Sequence, residues 1–170
     1  DDPHFGLVVF VDDVSVGNGG LPYDLVEDLQ LDFEIWYNHT STDEQTQADV
    51  PNSDYPENSL DGLVAGAEEF AWRDPETTLH IVIHATDDGF LEYPDSFSSG
   101  LPVEHTYAET VTALQSQLIR VASFVPAGRP GYFTDYEGMS SIPMATSGEA
   151  FDLGEVGDTI SLADAINGFV

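Results

Sequence analysis

The chain lacks cysteine and lysine, and its strongly basic side chains are limited to Arg73, Arg120 and Arg129. Without cysteine it can form neither a disulfide framework nor a thiolate metal site, so any bound metal must be a hard cation held by oxygen or histidine. Against the three arginines stand 32 Asp and Glu residues, which give a formal net charge of -29. This balance excludes nucleic acid and anionic membranes as favoured partners.

No apolar run approaches the roughly 18 to 20 residues of a membrane span, and the first four residues, DDPH, are not typical of a signal peptide. We therefore expect no membrane insertion. With 170 residues, 41% of them hydrophobic, the chain is long enough for a single domain over 1–170 with a sizeable core. The acidic surface has two interpretations, solubility in salt-rich water or divalent cation binding, and only residue spacing can separate them.

Apolar runs of β-branched residues alternate with helical patterns along the chain. The predicted strands are 5–11, 14–16, 79–85, 118–124 and 149–153, and the predicted helices are 22–37, 56–70, 107–117 and 161–170. The continuous runs are typical of strands buried on both faces of a parallel sheet. Strands that alternate with helices predict an α/β fold with a doubly wound, mostly parallel sheet.

Oxygen-bearing side chains follow the predicted strands, where ligand sites of open α/β sheets lie. Asp12 ends the first strand, Asp87 ends another, and the loop 52–57 leads into a helix N-terminus. Calcium takes six to eight oxygens from carboxylates, amides, carbonyls and water. A calcium site is one interpretation, and hydrogen bonding of an Asx-rich loop to its own backbone is the other. The candidate ligands are Asp12, Asn52, Asp54, the Pro56 carbonyl and Glu57.

The segment NSDYPENSLD at 52–61 resembles the loop-to-helix block of integrin β-subunit domains, which belong to the von Willebrand factor A-type family. WR at 72–73, LHIVIHATDDGF at 79–90 and FGLVVFVD at 5–12 are similar to further segments of that family. The resemblance implies a three-layer, Rossmann-like fold and a secreted or cell-surface adhesion module. It also implies calcium at Asp12, Asn52, Asp54, Pro56 and Glu57. Glu57 and Asp87 match the neighbouring adhesion metal site, where Mg²⁺ is the alternative cation.

One part of the family pattern is missing. The adhesion site needs a D-x-S-x-S loop, and DVSVG at 13–17 imitates it with glycine, which offers no side-chain oxygen, in place of the last serine. Only 44 positions separate Asp13 from Glu57, too few for the helix, two strands and loop expected between them. We therefore assign 5–16 to the second and third strands of the family. The first strand and helix are then lacking, so either an upstream segment completes the sheet or the fold closes without it, and we expect the former.

The expected function is binding of a protein or glycan ligand through a cation, without catalysis. A metal-free scaffold in a larger surface protein is the first alternative. A metal-assisted hydrolase using Glu57 and Asp87 is the second, although no nucleophile or oxyanion donor is recognisable in the sequence. His80 and His84 share one strand face and suggest zinc, but without a third suitably spaced ligand we expect structural roles for them.

Overall fold

The structure is a computed structural model, and it describes residues 3–39, 44–53, 55–156, 161, 164 and 167–168. The chain forms two compact units. Unit 1 comprises Asp1–Trp72 and Phe90–Thr106, and unit 2 comprises Arg73–Gly89 and Tyr107–Val170. Within the described ranges, no helix is both long and apolar enough to cross a membrane. The assignment of 1–170 to a single domain stays a prediction.

Unit 1 begins with a short hairpin of β1 (Val8–Phe10) and β2 (Val14–Val16), which pair antiparallel with Val9 opposite Ser15. The prediction of a strand over 5–11 in a parallel sheet is wrong in length and in partner. The Val11 N–H donates to the Asp13 carbonyl at 3.0 Å. This tight turn sends the chain straight back along β1, so the strand pairs with its neighbour in sequence. Only the middle residue of β1 is buried, which is the alternation of a half-covered strand.

Two helices complete the elements of unit 1. The first, α1 (Val26–His39), begins four positions after Pro22, the predicted start. The second, α2 (Ser59–Glu68), is buried at nine positions from Ser59 to Ala67 and packs against the hairpin. Gly62 allows this approach, because a Cβ there would lie 2.8 Å from the Phe10 ring.

Unit 2 is a parallel α/β unit. Its elements are β3 (Ile81–Ala85), α3 (Tyr107–Ser116), β4 (Arg120–Val125), α4 (Ile142–Ala145) and β5 (Glu149–Asp152). The strand order is β3-β4-β5 with both pairings parallel. The α/β class with a parallel sheet is therefore confirmed, as a mixed fold with three parallel strands. The predicted closing helix at 161–170 lies mostly outside the described residues.

The core of unit 2 lies on both sides of the central strand β4, whose residues from Val121 to Val125 are all buried. The edge strand β3 is only half-covered, so the prediction of a strand buried on both faces is wrong there. Helix α3 buries Tyr107, Thr110 and Leu114, which recur at the spacing of one helical face. The Tyr107 hydroxyl lies 2.9 Å from the Gly131 carbonyl oxygen, and burial raises the pKa of Tyr107.

Candidate functional site

Asp12 follows β1 and, at 1% exposure, is the most buried acidic residue among those described in unit 1. Its Oδ2 accepts a hydrogen bond of 2.9 Å from the Gln45 Nε2, and its own N–H donates to the Gln45 Oε1 at 2.8 Å. Gln45 is itself buried, at 4% exposure. A neutral amide therefore fixes both the main chain and the carboxylate of Asp12.

Asn58 attaches the start of α2 to the end of β1. Its N–H donates to the Val11 carbonyl at 2.6 Å, and its Nδ2 donates to the Asp12 carbonyl at 3.0 Å. The side chain is 3% exposed. Within the described part of the chain, its Oδ1 has no hydrogen-bond partner. These contacts bring Glu57, the preceding residue, to the same rim as Asp12, and Glu57 also forms a parallel bridge with Phe90.

The contacts of Asn58 concern Asp12 and the neighbouring Glu57 alone among the predicted ligands, and the shared calcium site stays a prediction. Asn52, Pro56 and Glu57 are half-buried residues of unit 1, whereas Asp54 lies outside the described residues. The exposed Asp87 belongs to unit 2, so its predicted place beside Glu57 stays a prediction. With Asp54 left out, the described residues include no group of three His, Asp or Glu side chains that could hold a metal ion.

Asp13 is a structural anchor for the loop after α1. Its carboxylate accepts hydrogen bonds from the Thr46 N–H and hydroxyl at 2.7 and 2.6 Å and from the N–H groups of Gln47 and Ala48 at 2.7 and 2.8 Å. Burial opposes the charged form, but these bonds outweigh it and lower the pKa of Asp13. Ser15 lies in β2, opposite Val9. Both observations agree with the inference that DVSVG is not the adhesion motif.

Asp61, on the first turn of α2, holds the segment 104–105 against the helix. Its carboxylate accepts hydrogen bonds from the Glu104 N–H at 3.0 Å and the His105 N–H at 3.0 Å. The His105 Nδ1 is a third donor, 2.8 Å from Oδ1. The Asp61 side chain is only 11% exposed. A buried carboxylate is thus paired with two main-chain donors and one imidazole.

An acidic cavity of about 390 Å³ opens beside these residues in unit 1. The carboxylates that line it are Asp12, Asp13, Asp61, Glu68, Glu69 and Glu104. Asn58 and His105 line it as well. All three arginines of the chain belong to unit 2, and the sequence has no lysine. The cavity therefore concentrates negative charge in a unit that has no Lys or Arg of its own, an environment that attracts cations.

The two histidines near β3 contact groups of unit 2 itself. The ring nitrogens of His80 lie 2.7 Å from the Gln117 carbonyl and 2.8 Å from the Arg73 carbonyl. The Nδ1 of His84 lies 3.1 Å from the Ser123 hydroxyl, and its ring centroid is 4.8 Å from that of Tyr132. Complete burial lowers the pKa of His84 to about 4. These contacts are those expected of structural histidines.

Sequence reasoning missed Gln45, Asn58 and the pair of Asp61 with His105. Asn58 could have been found, because Asn is typical of the position before a helix. Asp61 is part of the segment that carries the family resemblance, but His105 lies 44 positions away without any shared pattern. Gln45 is one polar residue among many in its loop, so no sequence signal distinguishes it.

Comparison with known proteins adds no relative from which a role could be transferred. No family model matches the chain, and no curated protein is significantly similar to it in sequence.

Proposed function

We propose that the chain is a metal-dependent binding module of the von Willebrand factor A type, similar to the integrin β-subunit domains and with their three-layer fold. The observation that carries the proposal is the attachment of Asn58 to Val11 and Asp12. This attachment brings a carboxylate at a strand end together with the loop-to-helix junction that contains Glu57. The resemblance of 52–61 to the metal-binding block of the family supports the same rim as the site.

The donor chemistry at this rim fits a hard cation. Asp12 and Glu57 offer carboxylates, Asn52 an amide oxygen and Pro56 a carbonyl, and we propose that Asp54 adds a third carboxylate. The buried Oδ1 of Asn58 supports the proposal, because among the described residues it is an acceptor oxygen without a hydrogen-bond partner at this rim. A bound Ca²⁺ would supply the positive charge that an acidic group of a protein or glycan ligand needs.

The remaining parts of the proposal follow from the family. Glu57 would also serve an adjacent adhesion metal site for Ca²⁺ or Mg²⁺, and an upstream segment would complete the sheet. The module would act outside the cell, secreted or on the cell surface. Anomalous diffraction from crystals grown with Ca²⁺, and with Mn²⁺ in place of the nearly signal-free Mg²⁺, tests both metal positions together, since each occupied site gives its own peak.

Calcium-dependent stability tests the calcium site in solution. Thermal melts in Ca²⁺ and in chelator should differ, because a ligand at 100 times its Kd stabilises the native state by about 2.7 kcal/mol. E57Q and D12N should remove most of this difference. E69Q is the matched control, since Glu69 is an exposed acid that lines the same cavity but belongs to no predicted ligand set. Equal melting temperatures of the wild type with and without calcium would contradict the proposal.

A metal-free scaffold is the second candidate. It is favoured by the hydrogen bonds that the carboxylates of Asp13 and Asp61 accept within the fold. Both carboxylates accept several hydrogen bonds from main-chain N–H groups, so acids near the rim can be satisfied by the fold alone. The melts separate the two candidates. A scaffold predicts no calcium effect, and the metal-dependent module predicts one that is lost in E57Q and kept in E69Q.

A further inference from the structure

Helix α1 exposes an unusual number of large apolar side chains. Among positions 26–37, none is buried, in contrast to the nine buried positions of α2. The large apolar side chains exposed on α1 or just before it are Leu25 57%, Val26 45%, Leu31 61%, Phe33 56%, Ile35 64% and Tyr37 69%. A stable helix that is apolar on several sides normally has these sides covered, and an extended exposed apolar patch marks an interaction surface.

Three of these side chains lie on one face. Val26, Phe33 and Tyr37 are separated by seven and four residues, which brings them into one row along a helix of 3.6 residues per turn. We call this row the α1 strip. Glu27 and Glu34, also seven residues apart, form a row to one side of it. The surface therefore combines an apolar strip with flanking negative charge.

Charge decides which partner such a surface fits. A second copy of the chain would present the same Glu27 and Glu34 and a net charge of -29, so repulsion disfavours self-association. An anionic membrane is disfavoured for the same reason. A helix with an apolar seam flanked by Lys or Arg matches both features, because its seam covers the strip and its cations meet the glutamates.

We propose that the α1 strip is a docking surface for a basic amphipathic helix of a partner protein. The strip runs over the 12 residues from Val26 to Tyr37, about 17 Å of helix rise, so a partner helix of about 12 residues is long enough to cover it. This surface is distinct from the rim at Asp12, and docking requires no metal. It can therefore be measured in chelator, where failure of the proposed calcium site has no effect on the result.

The probe is a fluorescent 18-residue peptide of leucine and lysine with its leucines on one helical face. Fluorescence anisotropy with the full chain, in chelator and at about 0.1 M salt, should show saturable binding. The double variant F33S/Y37S, which leaves the charge unchanged, should raise the apparent Kd at least about tenfold. Because both side chains are exposed, the far-UV circular dichroism spectrum should be unchanged.

The matched control is L118S/M144S, which removes two equally exposed apolar side chains, 65% and 69%, from unit 2 and should leave the Kd unchanged. A scrambled peptide with the same lysines and no apolar seam should bind at least about tenfold more weakly. Four outcomes would overturn the proposal: no binding of the seam peptide, equal binding of the scrambled peptide, an equal Kd for F33S/Y37S, or a concentration-dependent dimer that this variant abolishes.

Discussion

Acidification should destabilise the chain through His84, which is fully buried and has its pKa lowered from 6.5 to about 4. Burial is the cause, since it penalises the charged imidazolium. The lowered pKa means that the native state binds a proton less readily than the unfolded state. The stability that depends on neutral His84 is therefore nearly complete above pH 7, decreases as the pH falls through 6.5 toward 4, and levels off below that value.

The size of the effect follows from the two pKa values. With 6.5 for the unfolded chain and about 4 for the native one, proton linkage gives a loss of about 2 kcal/mol at pH 5 and about 3 kcal/mol at pH 4. At pH 7 the loss is only about 0.2 kcal/mol. A change of this size is a large part of the roughly 5 to 15 kcal/mol that stabilises a typical protein.

Urea unfolding followed by far-UV circular dichroism between pH 7.5 and 4 measures this loss. The many carboxylates of the chain titrate in the same range, so the quantity to compare is the difference in unfolding free energy between the wild type and H84Q at each pH. Replacing the ring also removes its contact with Tyr132, but that loss is the same at every pH. H4Q is the control, because His4 is exposed.

The expected result is a wild-type advantage over H84Q that shrinks by about 3 kcal/mol from pH 7 to pH 4, with little change in the difference between the wild type and H4Q. A difference between wild type and H84Q that stays constant to within about 0.5 kcal/mol over this range would refute the reasoning, since neutral His84 would then make no pH-dependent contribution.

Two further changes test how buried polar groups and close backbone contacts stabilise the units. D61N should lower the unfolding free energy by about 2 kcal/mol because it removes the charge that three donors share, whereas the exposed D49N should be neutral in the same urea assay. G148A should cost about 2 to 3 kcal/mol, because its Cβ would fall on the Val121 carbonyl, and G89A, with no atom nearer than 3.9 Å, should cost much less. The arguments would be contradicted if D61N had the same unfolding free energy as the wild type. They would also be contradicted if G148A and G89A had equal unfolding free energies.

Sequence patterns predicted the elements of unit 2 better than those of unit 1. The sequence of β4 is largely apolar and contains β-branched residues because β4 is the central strand of its sheet and is buried on both faces. Its sequence pattern therefore predicts this burial directly. The run at 5–11 has the same pattern, yet it forms a three-residue strand in a two-stranded hairpin. Composition reports how much apolar surface a segment must cover, but it does not report which strand provides the hydrogen bonds.

The candidate site was predictable where it follows from chain topology. Asp12 follows a predicted strand and Glu57 lies at the start of a predicted helix, so chain topology predicts that both lie at one rim. Gln45 and Asn58, which fix Asp12, were not predicted, because their partners are main-chain groups and one carboxylate that carry no sequence pattern. Contacts between residues 33 and 46 positions apart depend on loop conformation, and periodicity contains no information about that.

Unit 1 stabilises its buried or half-buried aspartates Asp12, Asp13 and Asp61 largely with uncharged hydrogen-bond donors, as expected from its composition. Having neither Lys nor Arg, it pairs Asp12 with the amide of Gln45, and it holds Asp13 and Asp61 with several main-chain N–H groups. Exposed ion pairs weaken as salt is added, because the Debye length falls to about 3 Å at 1 M. Short hydrogen bonds from uncharged donors at buried or half-buried positions are much less affected. Such anchors would therefore retain their strength at salt concentrations that screen the exposed carboxylates from one another.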